Sequence, residues 1–163
     1  MKNITIDEIL SAVISFCFGN GKLEESIKRI KNCSSDNLVS DEQLHQYIFS
    51  LYVLVISEVI YKAFQNSIIS DNLFDKLFKI VYENFPEEFD FIIENYVKYS
   101  EALYNNKSYD LLSLSLLISS NLRKDKKRDL LLGAICTLEF SSLLLSLNNF
   151  LEEIKHDYNV LAE

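Results

Sequence analysis

The stretch "QYIFSLYVLVISEVIYKAF", Gln46 to Phe64, is an almost unbroken apolar run with one carboxylate, Glu58, near its end. A bilayer span needs roughly 20 consecutive apolar residues. Here Ser57, Glu58 and Lys62 arrive within two turns of the run, so it reads as a buried helix rather than a membrane span. At about 100° per residue, Gln43, Gln46, Ser50 and Ser57 share one narrow stripe, while Ile48, Phe49, Tyr52, Val55, Ile56, Val59 and Ala63 fill the opposite side. This predicts a central helix that keeps one grazing face in water. Lys62 follows Glu58 by four residues, the favourable order for a helical ion pair, so Glu58 is expected in a salt bridge at the rim.

The rest of the chain supports a helical reading. Its 163 residues are 48% hydrophobic and 25% charged, with three glycines and one proline. Sheets and hairpins need turn residues at short intervals, so this composition predicts an all-α fold in a single domain, residues 1 to 163. Helix starts are legible. "TIDE" at Thr5 and "SDEQ" at Ser40 have capping-box spacing, in which the cap hydroxyl and a side chain three residues later satisfy each other's free N–H groups. Ser70 and Ser108 are simpler caps, and Pro86 suits a first turn, where its missing N–H costs nothing. Helices are expected near residues 6 to 18, 22 to 32, 41 to 66, 71 to 84, 86 to 104, 109 to 122 and 125 to 157, a compact bundle of about seven. "GNG" (19 to 21) breaks the first pair, and "NCSSDNLVS" (32 to 40) and "NNKS" (105 to 108) are loops. A very apolar helix wrapped by amphipathic ones resembles Bcl-2-like bundles in architecture alone, because that family's NWGR signature is absent.

The formal charge is −8, from 24 acidic and 16 basic side chains. This argues against a nucleic-acid or anionic-membrane partner, which is bound by neutralising phosphates with Lys and Arg, and favours a protein with a basic surface. Cys17, Cys33 and Cys136 lack disulfide or zinc spacing, and "MKNITIDEIL" is unlike a secretory signal, so a reducing cytoplasm is expected. No cofactor or metal is expected.

Nucleophilic catalysis needs a base beside a Ser or Cys, and His45 and His156 are the available imidazoles. Each also suits its helix end, and no recognised catalytic motif is present. A sharper candidate is Glu139 in "DLLLGAICTLEFSSLLLSLNNFLEEI", which has no cation three or four residues away. An acid left unpaired on an apolar helix has its charged form disfavoured by burial, as in many functional sites. On the same helix Gly133, Thr137 and Ser141 form a small-residue face suited to close helix contact.

The clearest surface pattern is on "PEEFDFIIENYVKYSEALY", where Glu87, Asp90, Glu94 and Glu101 fall within a narrow arc. Tyr82, Phe85, Phe91, Tyr99, Tyr104 and Tyr109 lie around it and would add contact area if exposed. "RKDKKRD" (123 to 129) reads as a loop in which Arg123 and Lys124 meet the last carbonyls of one helix and Asp125 caps the next. Three functions follow. The first is a non-catalytic acidic helical protein, an inhibitor, immunity or antitoxin-like factor or adaptor, that binds a basic protein through the arc. The second is an enzyme or small-ligand binder with a pocket at Glu139. The third is a homo-oligomer that buries parts of "LLSLSLLISSNL" (111 to 122) and the C-terminal helix.

Overall fold

A computed structural model describes residues 2–33, 37–65, 68–104 and 109–161. The chain is predominantly helical and runs β1 (Lys2–Thr5), α1 (Ile6–Phe18), a 3-10 turn (Gly19–Gly21), α2 (Lys22–Cys33), α3 (Asp41–Phe64), α4 (Ile68–Asn84), α5 (Phe89–Leu103), α6 (Leu111–Leu122), α7 (Leu130–Asp157) and β2 (Tyr158–Leu161). Local chemistry sets these boundaries. The Thr5–Glu8 capping box closes both ways: the Glu8 N–H donates to Thr5 Oγ1 at 3.2 Å and the Thr5 N–H to Glu8 Oε2 at 2.8 Å. Ser40 makes half of its box, accepting from the Gln43 N–H at 3.3 Å. Gly21 sits at φ +71°, a conformation that costs a side-chain-bearing residue energy, and so turns the chain between α1 and α2.

Other starts differ from expectation. Helix α4 begins at Ile68, which places Ser70 inside its first turn. Pro86 lies in a turn, and α5 begins three residues later at Phe89. Asp110 caps α6 by accepting from the Ser113 N–H at 2.9 Å, while Ser108 and the "NNKS" loop lie outside the described residues. Asp129, not Asp125, caps α7 through the Leu132 N–H at 3.1 Å. Asp125 instead binds the Arg123 guanidinium, at 2.9 Å to each of Nε and Nη2, while Arg123 Nη1 reaches Asp129 at 2.8 Å.

Every residue of α3 from Tyr47 to Ile60 is buried. The grazing wet stripe is therefore not there: Ser50 and Ser57 are enclosed with the rest. Ser50 Oγ resolves the cost by donating back to the Gln46 carbonyl at 2.8 Å, a bond available to a helical serine whatever covers it. By length and composition alone, α3 and α7 are both long and apolar enough to cross a membrane, but 83% of the apolar window of α3 is covered by the protein, against 28% for α7. Helices α6 and α7 approach closely at Gly133, where a Cβ would stand 3.1 Å from the Ser115 carbonyl oxygen. The Thr137 and Ser115 hydroxyls hydrogen-bond at the same crossing.

The two strands were not expected. β1 and β2 pair in parallel, Lys2 opposite Tyr158 through Thr5 opposite Leu161, and tie the two ends of the chain together. The all-α expectation is corrected to that extent. A parallel pair whose crossover is the whole bundle leaves no short-range signature, because no turn connects its strands.

Candidate functional site

The structure reverses the expected roles of the two acids on apolar helices. Glu139 of α7 is paired. Arg29, from the outer side of α2, donates from Nε to Oε1 at 2.6 Å and from Nη2 to Oε2 at 2.8 Å, a bidentate geometry that fits the planar guanidinium to the carboxylate. The Ser26 hydroxyl, one turn earlier on α2, donates to Oε2 at 2.8 Å and also bonds the Tyr52 hydroxyl at 2.8 Å. Burial opposes ionisation of Glu139, but Arg29 and Ser26 outweigh it and hold its pKa below the ordinary 4.5. The space beside it, lined by Ser26, Tyr52, Glu139 and Phe140, measures about 10 Å³. A site of that size holds at most a water. The expected unpaired acid beside a pocket is thus a satisfied ion pair that fastens α2 to α7.

Glu58 is the acid that is enclosed without a cation. It is 7% exposed, and no ion pair reaches it among the described residues. The Tyr104 hydroxyl, at the end of α5, donates to its Oε2. Lys62 turns away and places Nζ 4.9 Å from the ring centroid of Tyr109, which itself stands edge-on to Tyr104 at 5.8 Å. Burial pushes the Glu58 carboxyl above its ordinary 4.5, and the Tyr104 hydrogen bond and the Lys62 charge offset only part of this. A carboxyl whose folded pKa exceeds its unfolded one binds its proton more readily in the native state. Stability is therefore highest below pH 4.5 as far as Glu58 is concerned, and falls as pH rises through its folded pKa. Glu58→Gln is expected to gain about 1 kcal/mol at pH 8. The gain should vanish below pH 4.5, the ordinary value for this carboxyl. Urea melts at both pH values check it, and a pH-independent difference would show that the charge of Glu58 is not the cause.

The residues of the acidic arc lie on the surface. Glu87 stands in the turn before α5, and Asp90, Glu94 and Glu101 project from the helix, all exposed. Glu94 is neutralised by Lys98 one turn on, whereas Glu87, Asp90 and Glu101 have no ion pair among the described residues. Helical spacing puts exposed Val97 in the middle of this stripe, between Glu94 and Glu101. Tyr82 of α4, 57% exposed, stands edge-on to Phe89 at 5.2 Å, next to the acidic start of α5. Of the other aromatics expected nearby, Tyr104 and Tyr109 are exposed, Phe85 and Phe91 are half-buried and Tyr99 is fully buried.

A more enclosing apolar space lies away from both acids. An apolar cleft of about 380 Å³ opens between α1, α3 and α4, lined by Phe18, Phe49, Val53, Leu77 and Phe85, with Glu24, His45 and Asn84 as its polar residues. Phe49 stacks on Phe18 at 5.1 Å and meets Phe85 at 4.7 Å. Three phenylalanines on three separate segments of chain converge there, a signal invisible to local periodicity. His45 faces Phe49 at 6.4 Å, and exposed His156 bonds Asp157 at 2.9 Å. Burial raises the Cys17 and Cys136 thiols to about 12, which keeps both protonated and poorly nucleophilic near neutral pH. Among the described residues no group of three His, Cys, Asp or Glu side chains is placed to hold a metal.

Comparison with protein-family models, with curated proteins and with solved structures gives no match.

Proposed function

We propose that the protein acts by binding another protein with a basic surface, through the outer face of α5. The observation that carries this reading is an exposed apolar residue inside a one-signed stripe: Val97 between Asp90, Glu94 and Glu101, with Tyr82 beside the acidic start of the helix. Carboxylates without local cations attract an oppositely charged partner from a distance, and an exposed aromatic supplies contact area once it arrives. The pairing of Glu94 with Lys98 assigns the steering to Glu87, Asp90 and Glu101. In this reading the bundle of about seven helices packed around α3 is a rigid support, and inhibitor, immunity factor or adaptor are the roles it fits.

The test is quantitative co-purification with the wild-type chain, a Glu87→Lys/Asp90→Lys/Glu101→Lys variant and Tyr82→Ala. At least one protein should be retained by wild type and reduced at least about tenfold by either change, the scale on which interface anchors act. If every retained protein is held equally by all three, the face is not the working surface.

A further inference from the structure

Helix α7 carries a second surface, unrelated to the acidic face of α5. Leu130, Leu131, Leu138 and Leu145 of α7, with Leu112 of α6, are between 63% and 73% exposed. Leu131, Leu138 and Leu145 are spaced by sevens, which on an α-helix is a single stripe of about 21 Å. Ala134 joins them, and a shallow groove of about 460 Å³ lined by Leu112, Leu116, Leu130, Gly133, Ala134 and Leu138 runs alongside. Exposed leucines in this number on one face mark a contact surface.

The charges at the two ends of the stripe say what covers it. The chain enters α7 through Lys124, Lys127 and Arg128, which have no ion pair among the described residues. It leaves through Glu152, Glu153 and Asp157, of which Glu152 is bonded by Lys155 at 2.9 Å, so the exit keeps a net negative charge. We infer that the occupant is the same helix of a second copy, laid antiparallel across a two-fold axis at Leu138. In that register Leu131 of each copy meets Leu145 of the other, and the basic entry of each α7 lies over the acidic exit of its partner. Lys124, Lys127 and Arg128 stand before the first helical residue, Leu130, so the basic segment as a whole, and not a set of fixed residue pairs, faces Glu152 and Glu153 of the partner. A parallel arrangement would set like charges against each other at both ends, which is destabilising. A two-fold interface requires one patch to complement itself, and an apolar stripe with opposite charges at its ends does so only antiparallel. The groove beside Ala134 receives leucine side chains of the partner.

Light scattering and sedimentation equilibrium across a concentration series test this on the full chain. The mass should rise from 18.9 kDa towards twice that value. Leu138→Lys places two like charges on the axis and should raise the dissociation constant at least about tenfold. Because Leu138 is exposed, the variant should keep the wild-type circular dichroism and urea midpoint at low concentration. Glu152→Lys should also weaken association, and adding Lys124→Glu/Lys127→Glu should restore it, a rescue that only the antiparallel register provides. A chain that stays monomeric at every concentration overturns the inference, and if that monomer sediments with phosphatidylserine vesicles the face belongs to a lipid surface. A dimer indifferent to Leu138→Lys overturns it as well.

Discussion

Phe140→Ala is expected to destabilise the fold by about 3–5 kcal/mol, the cost of removing a large buried ring and leaving its cavity partly open. Phe140 is 1% exposed and faces inward from α7, two residues after Leu138, which is 69% exposed. Leu138→Ala should therefore change stability by no more than about 0.5 kcal/mol when measured at low protein concentration, where association contributes nothing. Urea denaturation gives both values, with a common slope if the two variants unfold from equally compact states. The contrast reads out the two-sidedness of α7: one face anchors the core and the other is left for a partner. Comparable losses at both positions would mean that the packing face has been misplaced.

Arg29→Met is expected to cost less but to carry a distinctive pH signature. Hydrogen bonds to a charged group contribute about 1.5–3 kcal/mol. Arg29's side chain is 53% exposed, against 19% for Glu139, so solvent screening brings the expected loss at pH 7 to about 1–2 kcal/mol. Methionine keeps most of the apolar stem, so the change isolates the charge. In the wild type the Glu139 pKa is depressed below 4.5, so its contribution is complete above pH 4.5 and is lost as pH falls through the folded pKa. Without Arg29 the opposing effect of burial is answered only by Ser26, so the carboxyl pKa rises. The gap between wild type and variant should be widest at neutral pH and close in acid. Urea melts over that range would sink the assignment if the gap stayed constant. Glu58 has the opposite sign and acts above pH 4.5 where Glu139 acts below it, so the two acids together should give the stability profile a maximum near pH 4.5.

Local rules account for much of this structure. The Thr5 and Ser40 caps, the glycine turn at Gly21 and the apolar spacing of each helix depend on residues within four or five positions of one another, and their helices begin where those rules place them. Failures follow where a second neighbour competes. Asp125 has the chemistry of a cap but is held by Arg123, so Asp129 takes the role. Ser50 and Ser57 are polar, yet their helix is covered on all sides; Ser50 satisfies itself on its own backbone, as a lysine could not.

The candidate sites divide in the same way. The acidic arc was legible because Asp90, Glu94 and Glu101 are neighbours on one helix and need nothing else to share a face. The heptad spacing of Leu131, Leu138 and Leu145 was equally present in the sequence, but whether that side of α7 faces the core or water depended on where α2, α3 and α6 packed. Glu139 looked unpaired because its cation lies 110 residues away on α2, and Glu58 looked paired because Lys62 is four residues away. Lys62 instead lies over Tyr109, brought there by the tertiary fold. Helix type, caps and the acidic stripe are thus written in the sequence, since each is fixed by contacts within a turn or two. The charge state of each buried acid, the pairing of the chain ends and the exposure of the leucine face were decided only by the tertiary structure, because desolvation and partner choice depend on atoms that the chain brings together from far apart.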